Sequence, residues 1–279
     1  MLSAWMTSGF FLLFLSCNKD DFEFSNALMK CQVSEFHLNT YDLYFTDFPF
    51  LFKKTYDPSG KILKEISCLF WNDEPPTGPY MTPHDLVIKN YGRKIFLMNK
   101  HNLLDTVVKI ILNSKGRVES CETTAGLNDG YANEHGDMEH YQYSNNRVVA
   151  LLTTIVFQGT PYTYTTPIIY DSYGNCLNSG GGDFEYDYSR KAKKQFYCDD
   201  LMGHDGFYLL QYLGFFPEIN SPVNLRKHGN AATIQGDFTN HTFDAERKLT
   251  GYSFGSINAT ITWNCKGASL NNYLNSSSE

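Results

Sequence analysis

The chain has 279 residues, a formal net charge of −7 and no basic block, which speaks against a nucleic-acid partner. Aromatic residues make up 15% of it, with 19 Tyr and 21 Phe, a composition that suits strands better than helices. After the leader, no apolar run approaches the roughly 17 residues that a membrane-spanning helix needs.

Residues 1–16 end in the apolar run Phe10-Phe11-Leu12-Leu13-Phe14-Leu15 and Ser16. That run is too short to span a bilayer and reads as a signal peptide. Phe14-Leu15-Ser16-Cys17 has the form of a bacterial lipobox, with a small residue before the cysteine. Cys17 is therefore the expected lipidated residue, tethering the mature chain to the outer membrane. Asn18-Lys19-Asp20-Asp21 follows, and its acidic pair resembles the surface-export signal of Bacteroides-type lipoproteins. The expected location is the cell surface, with the periplasmic face as the alternative. Residues 17–27 form the lipidated tether, 28–265 a single domain and 266–279 a flexible tail.

From Met29 onward one phrase recurs: an aromatic or apolar residue, Asp or Asn, two variable positions, Gly or Arg, then usually a basic residue. It stands at Tyr56-Asp57-Pro58-Ser59-Gly60, Leu112-Asn113-Ser114-Lys115-Gly116, Tyr170-Asp171-Ser172-Tyr173-Gly174, Tyr186-Asp187-Tyr188-Ser189-Arg190 and Phe243-Asp244-Ala245-Glu246-Arg247. Asp or Asn can accept a hydrogen bond from the backbone two residues on, and the glycine supplies the left-handed position that closes a hairpin with a bulge. Arg190 and Arg247 occupy that slot, where a side chain costs roughly 1–2 kcal/mol, so these two turns are expected to be weaker or of another type. Tight turns are also expected at Asn145-Asn146 and Gly92.

Between these corners the chain alternates like strands. Ile62–Trp71 returns from the first corner, and Asn72–Pro83, with four prolines, reads as an exposed loop. Thr106–Leu112 and Val148–Phe157 are β-branched, apolar strands. Thr160–Tyr170, broken by Pro161 and Pro167, reads as an edge or bulged strand, and Gly180–Gly182 as a corner. Gly203–Phe216 is the single helical candidate, with Phe207, Leu210 and Leu213 giving a partial apolar face and Pro217 and Pro222 ending it. Strands resume over 231–264. The expected fold is all-β: an antiparallel hairpin meander curled into a barrel or a strongly bent sheet, with one short helix. A barrel behind a lipid tether should keep its apolar face inward, the reverse of an integral membrane barrel.

Cys31, Cys68, Cys121, Cys176, Cys198 and Cys265 remain after Cys17, with no CxxC pair. Outside the cytoplasm they allow disulfides in any of about 15 pairings, or they serve as small buried hydrophobes in strands.

The lipobox, the hairpin phrases, Gly-Phe-Tyr-Leu-Leu-Gln-Tyr-Leu-Gly at 206–214, Asn-Leu-Arg at 224–226 and the final Thr-Trp-Asn at 262–264 together carry a resemblance. They resemble uncharacterised Bacteroides-type lipoproteins of a domain-of-unknown-function family with a porin-like fold. The resemblance implies a barrel-like meander and brings no catalytic residues with it.

Two constellations could carry chemistry. Asp129, Glu134, His135, Asp137 and His140 could ligate Ca²⁺ or Zn²⁺, although the spacing of the two histidines matches no standard pattern and a solvated loop explains the cluster. Tyr162, Tyr164, Tyr173, Tyr186 and Tyr188 could stack on a glycan or line a lipid pocket, or simply pack across strands. No cofactor other than such a metal is expected. The function these features suggest is a non-enzymatic surface lipoprotein that binds a glycan or lipid ligand. A metal-dependent hydrolase using residues 128–140, or a structural partner of an outer-membrane transport complex, are the alternatives.

Overall fold

The computed structural model describes residues 31–39, 51–71, 81–124, 137–157, 159–180, 182–191, 193–197, 206–231, 235–255 and 257–266. The leader, Cys17, Cys198 and the tail from 267 lie outside them.

The expected meander is present. Among the described residues, seventeen strands form one antiparallel circuit. They are β1 (Gln32–Asn39), β2 (Phe52–Tyr56), β3 (Leu63–Trp71), β4 (Met81–Tyr91), β5 (Lys94–Asn99), β6 (Thr106–Leu112), β7 (Val118–Thr123), β8 (Met138–Ser144) and β9 (Arg147–Phe157). The circuit continues through β10 (Thr160–Pro167), β11 (Ile169–Tyr170), β12 (Cys176–Asn178), β13 (Gly182–Asp187), β14 (Leu225–Ala231), β15 (Gln235–Phe243), β16 (Leu249–Phe254) and β17 (Ile257–Asn264). Pro83 lies inside β4, paired with Leu69, and not in the loop expected to run to it.

The two ends of the meander meet because β1 pairs with both β2 and β17, the latter from Gln32 against Asn264 to Asn39 against Asn258, giving a nearly closed barrel. A disulfide between Cys31 and Cys265 lies at the end of that seam, while Cys68, Cys121 and Cys176 are buried thiols. Both readings of the cysteines are thus realised. The circuit is incomplete at one point: β10 ladders with β9, β11 with β12, and Ile168 joins them end to end. The two prolines of β10 suit this one-sided pairing, since proline cannot donate to a second neighbour.

The recurring phrase builds the corners for the stated physical reason. At Asp57 the carboxylate accepts from the Lys61 and Ile62 amides, both at 2.9 Å, while Gly60 stands at φ 73°. Asn113 and Asp171 do the same, with Gly116 at φ 75° and Gly174 at φ 91°. Arg247 takes the left-handed conformation despite its side chain, at φ 63°, and its guanidinium donates to the Lys191 carbonyl at 3.2 Å. Arg190 does not, and here the chain leaves the sheet and returns only at β14. The Asp187 phrase is a turn without a hairpin.

Side chains alternate as a water-facing wall requires. In β17 Ile257, Ala259 and Ile261 are buried, and Asn258, Thr260 and Thr262 are exposed. Outward positions carry cross-strand ion pairs, Lys53 with Glu35 and Lys109 with Glu122, each at 2.9 Å. In a lipid-facing wall each lysine would cost about 2–4 kcal/mol near the midplane. The apolar face points inward, as expected.

The lumen is filled. Helix α1 (Gly206–Leu213) has all eight residues buried, so the partial apolar face expected from sequence is replaced by burial all round. It packs against β2, β7, β8 and the second helix described below. Its first turn is held by β8: Glu139 Oε1 accepts from the Phe207 amide at 3.2 Å, and the Tyr141 hydroxyl donates to the same carboxylate. A negative group at a helix N-terminus is favoured by the aligned peptide dipoles. Gly206 lies so close to the wall that a Cβ would sit 2.6 Å from Cys121 Sγ. Pro217, expected to end the helical region, instead opens a second short helix, α2 (Pro217–Asn220), where its missing N–H goes unneeded. Among the described residues there are therefore two helices and not one.

Candidate functional site

The cavity with the strongest chemical character lies where α1 and α2 meet β1, β2, β17 and the segment 193–197, at the disulfide end of the seam. Its volume is about 70 Å³, and Cys31, Val33, Lys54, Lys194, Gln195, Phe196, Gln211, Tyr212, Asn220, Ser221 and Trp263 are among its lining residues. At about 10–15 Å³ for each water-sized group, that is room for roughly six non-hydrogen atoms.

Its walls are set by strand period. On β2, Phe52 and Lys54 point inward while Lys53 and Thr55 face solvent. Phe52, fully buried behind the lining, stacks on Tyr212 with ring centroids 4.9 Å apart and meets Phe196 edge-on at 5.8 Å, so it backs an aromatic floor of Tyr212 and Phe196. Lys54 stands beside that floor, its ammonium 5.5 Å from the Phe52 ring centre, and is only 5% exposed. Burial alone pushes its amine down to about 7, since the charged form loses its water. Lys194 is shifted down as well, by partial burial first and then by Lys248 and Lys193.

Opposite, two short segments are zipped together. Tyr197 donates its amide to the Asn220 carbonyl at 2.8 Å, and Ser221 Oγ donates to the Gln195 carbonyl at 2.6 Å. Gln195 Nε2 donates to the Pro222 and Asn224 carbonyls, and Asn220 Nδ2 to the Tyr197 carbonyl at 2.6 Å. Those bonds fix both amides, so that Gln195 Oε1 and Asn220 Oδ1 are left as buried acceptors with no partner. Gln211 Nε2 on α1 is an equally orphaned donor. All three side chains are 2% exposed. A buried amide atom without a partner costs roughly 1–3 kcal/mol, and all three residues belong to the cavity lining. Among its lining residues there are two lysines and no carboxylate.

The residues singled out from sequence are dispersed. Of the metal candidates, Asp129, Glu134 and His135 lie outside the described residues. Asp137 is buried, and His140 is exposed on the outer face of β8. No cluster of three or more His, Cys, Asp or Glu side chains fit to hold a metal ion occurs among the described residues. Tyr162 and Tyr164 are exposed together on β10, on the hairpin it forms with β9. Tyr173 and Tyr188 pair at 5.0 Å beside the Asp171 corner, where the Tyr188 hydroxyl donates to Asp171 Oδ2 at 3.0 Å. Tyr186 is buried, with its hydroxyl donating to the Cys176 carbonyl. The tyrosines therefore occupy three separate settings rather than one surface.

Sequence reasoning passed over Lys54, Gln195, Gln211 and Asn220. For Lys54 a signal existed: in an alternating strand it shares a face with Phe52 and Tyr56. The amides gave none, because their roles depend on contacts between segments far apart in the chain.

No protein-family model and no curated protein matches the chain. Among solved structures, it is similar to a porin-like protein from Bacteroides uniformis at 11% identity, over 83% of this chain and 98% of that one, with a TM-score of 0.40. That likeness is shallow, and neither ligand nor activity carries over from it.

Proposed function

We propose that the protein is a non-enzymatic module of the bacterial cell envelope, a surface lipoprotein anchored through Cys17, which holds a small ligand in the cavity beneath its disulfide. The cavity carries the reading: the buried side chains of Lys54, Gln195, Gln211 and Asn220 line one space together with Phe196, Tyr212 and Trp263. Such a pattern, an apolar pocket with a few placed polar groups, is how small-ligand sites are built. Two observations support the location. The leader and Cys17 have the form of a lipoprotein signal, and a disulfide joining the first and last strands belongs to an oxidising compartment.

The test is a thermal-shift screen of the purified protein against neutral sugars, sugar acids, amino acids and fatty acids. The expected result is a class that raises the melting temperature of the wild type but not of Gln211→Met, which removes one orphaned donor at similar volume. A screen without a single stabilising class overturns the binding reading. Labelled palmitate incorporated by the wild type and not by Cys17→Ala checks the anchor separately.

A further inference from the structure

We infer that a second site, the cleft where the two arginine corners meet, binds a sugar phosphate, with Arg190, Lys191 and Arg247 holding the phosphate and Phe243 lying against the sugar. It shares no lining residue with the cavity beneath the disulfide.

The recurring corner phrase carries the first observation. Three hairpins place glycine at the left-handed position, whereas the phrases at Asp187 and Asp244 place arginine there. Neither arginine serves its turn. Four residues other than glycine have positive φ among the described residues, and three of them are asparagines, which tolerate it. The fourth is Arg247, at 63°. At Arg190 the phrase forms no hairpin at all. Yet the two departures come together in space, since both arginines line one cleft of about 300 Å³ with Ser189, Lys191, Leu225 and Phe243. Backbone strain that brings its own turn no benefit gathers at binding sites.

The cleft is built before any ligand arrives. The Arg247 guanidinium donates to the Lys191 carbonyl at 3.2 Å, and the Arg247 carbonyl accepts from the Lys193 amide at 3.0 Å. The Leu225 amide donates to the Arg190 carbonyl at 3.1 Å. Three segments far apart in the chain are thereby fixed around one space, which leaves less ordering for binding to cost.

Its charge is positive. The lining holds three cations and no carboxylate, and all three are exposed, their charged ends open to a ligand. The nearby acids are engaged elsewhere. The Ser189 hydroxyl donates to Asp187 at 2.6 Å, with the charge of Arg190 acting on that carboxylate only from a distance. Asp244 and Glu246 both pair with Lys248, at 3.2 and 2.8 Å.

The chemistry of the ligand follows. Guanidinium forks match the oxygens of phosphate or carboxylate. One carboxylate would leave most of the positive charge unanswered, whereas a phosphate monoester carries about −1.5 to −2 at pH 7. The cleft has room for roughly 20 non-hydrogen atoms, enough for one phosphorylated monosaccharide and far more than phosphate alone requires. Phe243 is 39% exposed, a ring on which the carbon face of a sugar can rest.

The experiment is a calorimetric titration of the full mature chain at pH 7.5 and low salt with glucose 1-phosphate, glucose, glucuronate and inorganic phosphate. The expected result is that glucose 1-phosphate binds at least about tenfold more tightly than each of the other three. Arg247→Gly, which should keep or raise the melting temperature, and Arg190→Gln should each lose at least about tenfold of that affinity. Lys89→Gln, which removes an exposed cation from β4, should bind as the wild type does. Added salt should weaken binding. No binding of glucose 1-phosphate, full binding by both arginine variants, or an equal loss in Lys89→Gln would overturn the inference. Glucuronate binding as tightly overturns the phosphate assignment, and inorganic phosphate binding as tightly overturns the part given to the sugar and Phe243. Gln211→Met should change none of this, so the two sites stand or fall separately.

Discussion

Glu139 on β8 accepts a hydrogen bond from the amide of Phe207, 68 positions later in the chain, and the two atoms are 3.2 Å apart. One strand of the wall thus holds the start of the helix that fills the barrel. Glu139 is fully buried, and its carboxylate also accepts from the Tyr141 hydroxyl. Glu139→Ala should leave that hydroxyl and the Phe207 amide short of a partner and lower stability by about 3 kcal/mol. Glu139→Gln, which keeps an acceptor, should lose less. Urea unfolding of both variants checks the order, and equal losses would show that the carboxylate is not what anchors the helix.

Lys54 makes a prediction in pH. Its folded-state value near 7 lies below the ordinary lysine value of 10.5, so between these limits the unfolded chain holds a proton that the folded chain has released. Stability therefore rises with pH across that window and the penalty is complete below about 7. At pH 6 Lys54→Met should be more stable than wild type by several kcal/mol, on the order of 1.4 for each unit of the shift. The gap should close toward pH 10. Denaturation midpoints measured at pH 6, 8 and 10 decide it, and a gap that does not change with pH refutes the assignment.

The corners can be tested against each other. Arg247 stands at φ 63° in the place where Gly60, Gly116 and Gly174 stand in the other hairpins. Arg247→Gly should relieve the strain and stabilise by up to about 1 kcal/mol, after allowing for the entropy that glycine adds to the unfolded chain and the lost contact with Lys191. Gly116→Ala should cost about 1 kcal/mol by the same argument. Arg190, which is not left-handed, offers the control: Arg190→Gly should bring no gain. Thermal melts of the three variants supply the comparison.

The disulfide closes a span of 234 positions. In the chain-entropy account its loss destabilises by roughly 3–5 kcal/mol, since so long a loop is restored to the unfolded state. Cys265→Ser should lower the melting temperature by about 10 °C for a chain of this size. Reducing agent should do the same to the wild type and nothing further to the variant.

Much of the architecture was legible because it is local. Asp57, Asn113 and Asp171 bond within their own turns, so a few residues suffice to declare a corner, and the period-2 strands between them follow. The helix was legible only in outline. Its span showed in the spacing of Phe207, Leu210 and Leu213, but Tyr208, Leu209, Gln211 and Tyr212 are buried too, because of packing against the wall that no local pattern announces. The second helix was missed because Pro217 can stop one helix and start another. The β1–β17 seam and the Cys31–Cys265 bond join the two ends of the domain, and six cysteines alone do not choose among their pairings. The cavity was the least visible feature. Gln195 and Asn220 are ordinary residues in sequence, and become chemically unusual only once Pro222, Asn224 and Tyr197 have engaged their amide nitrogens.

Bonding Cys31 to Cys265 also removes the barrel's beginning. Strand order becomes cyclic, and the covalent path from one seam strand to the other is a circle broken only in the formal sense that translation must start somewhere. A protease that nicks the Asn145-Asn146 corner would release no fragment until a reductant is added. A permuted gene starting at Arg147, with the old ends spliced across the seam, would trace the same circuit.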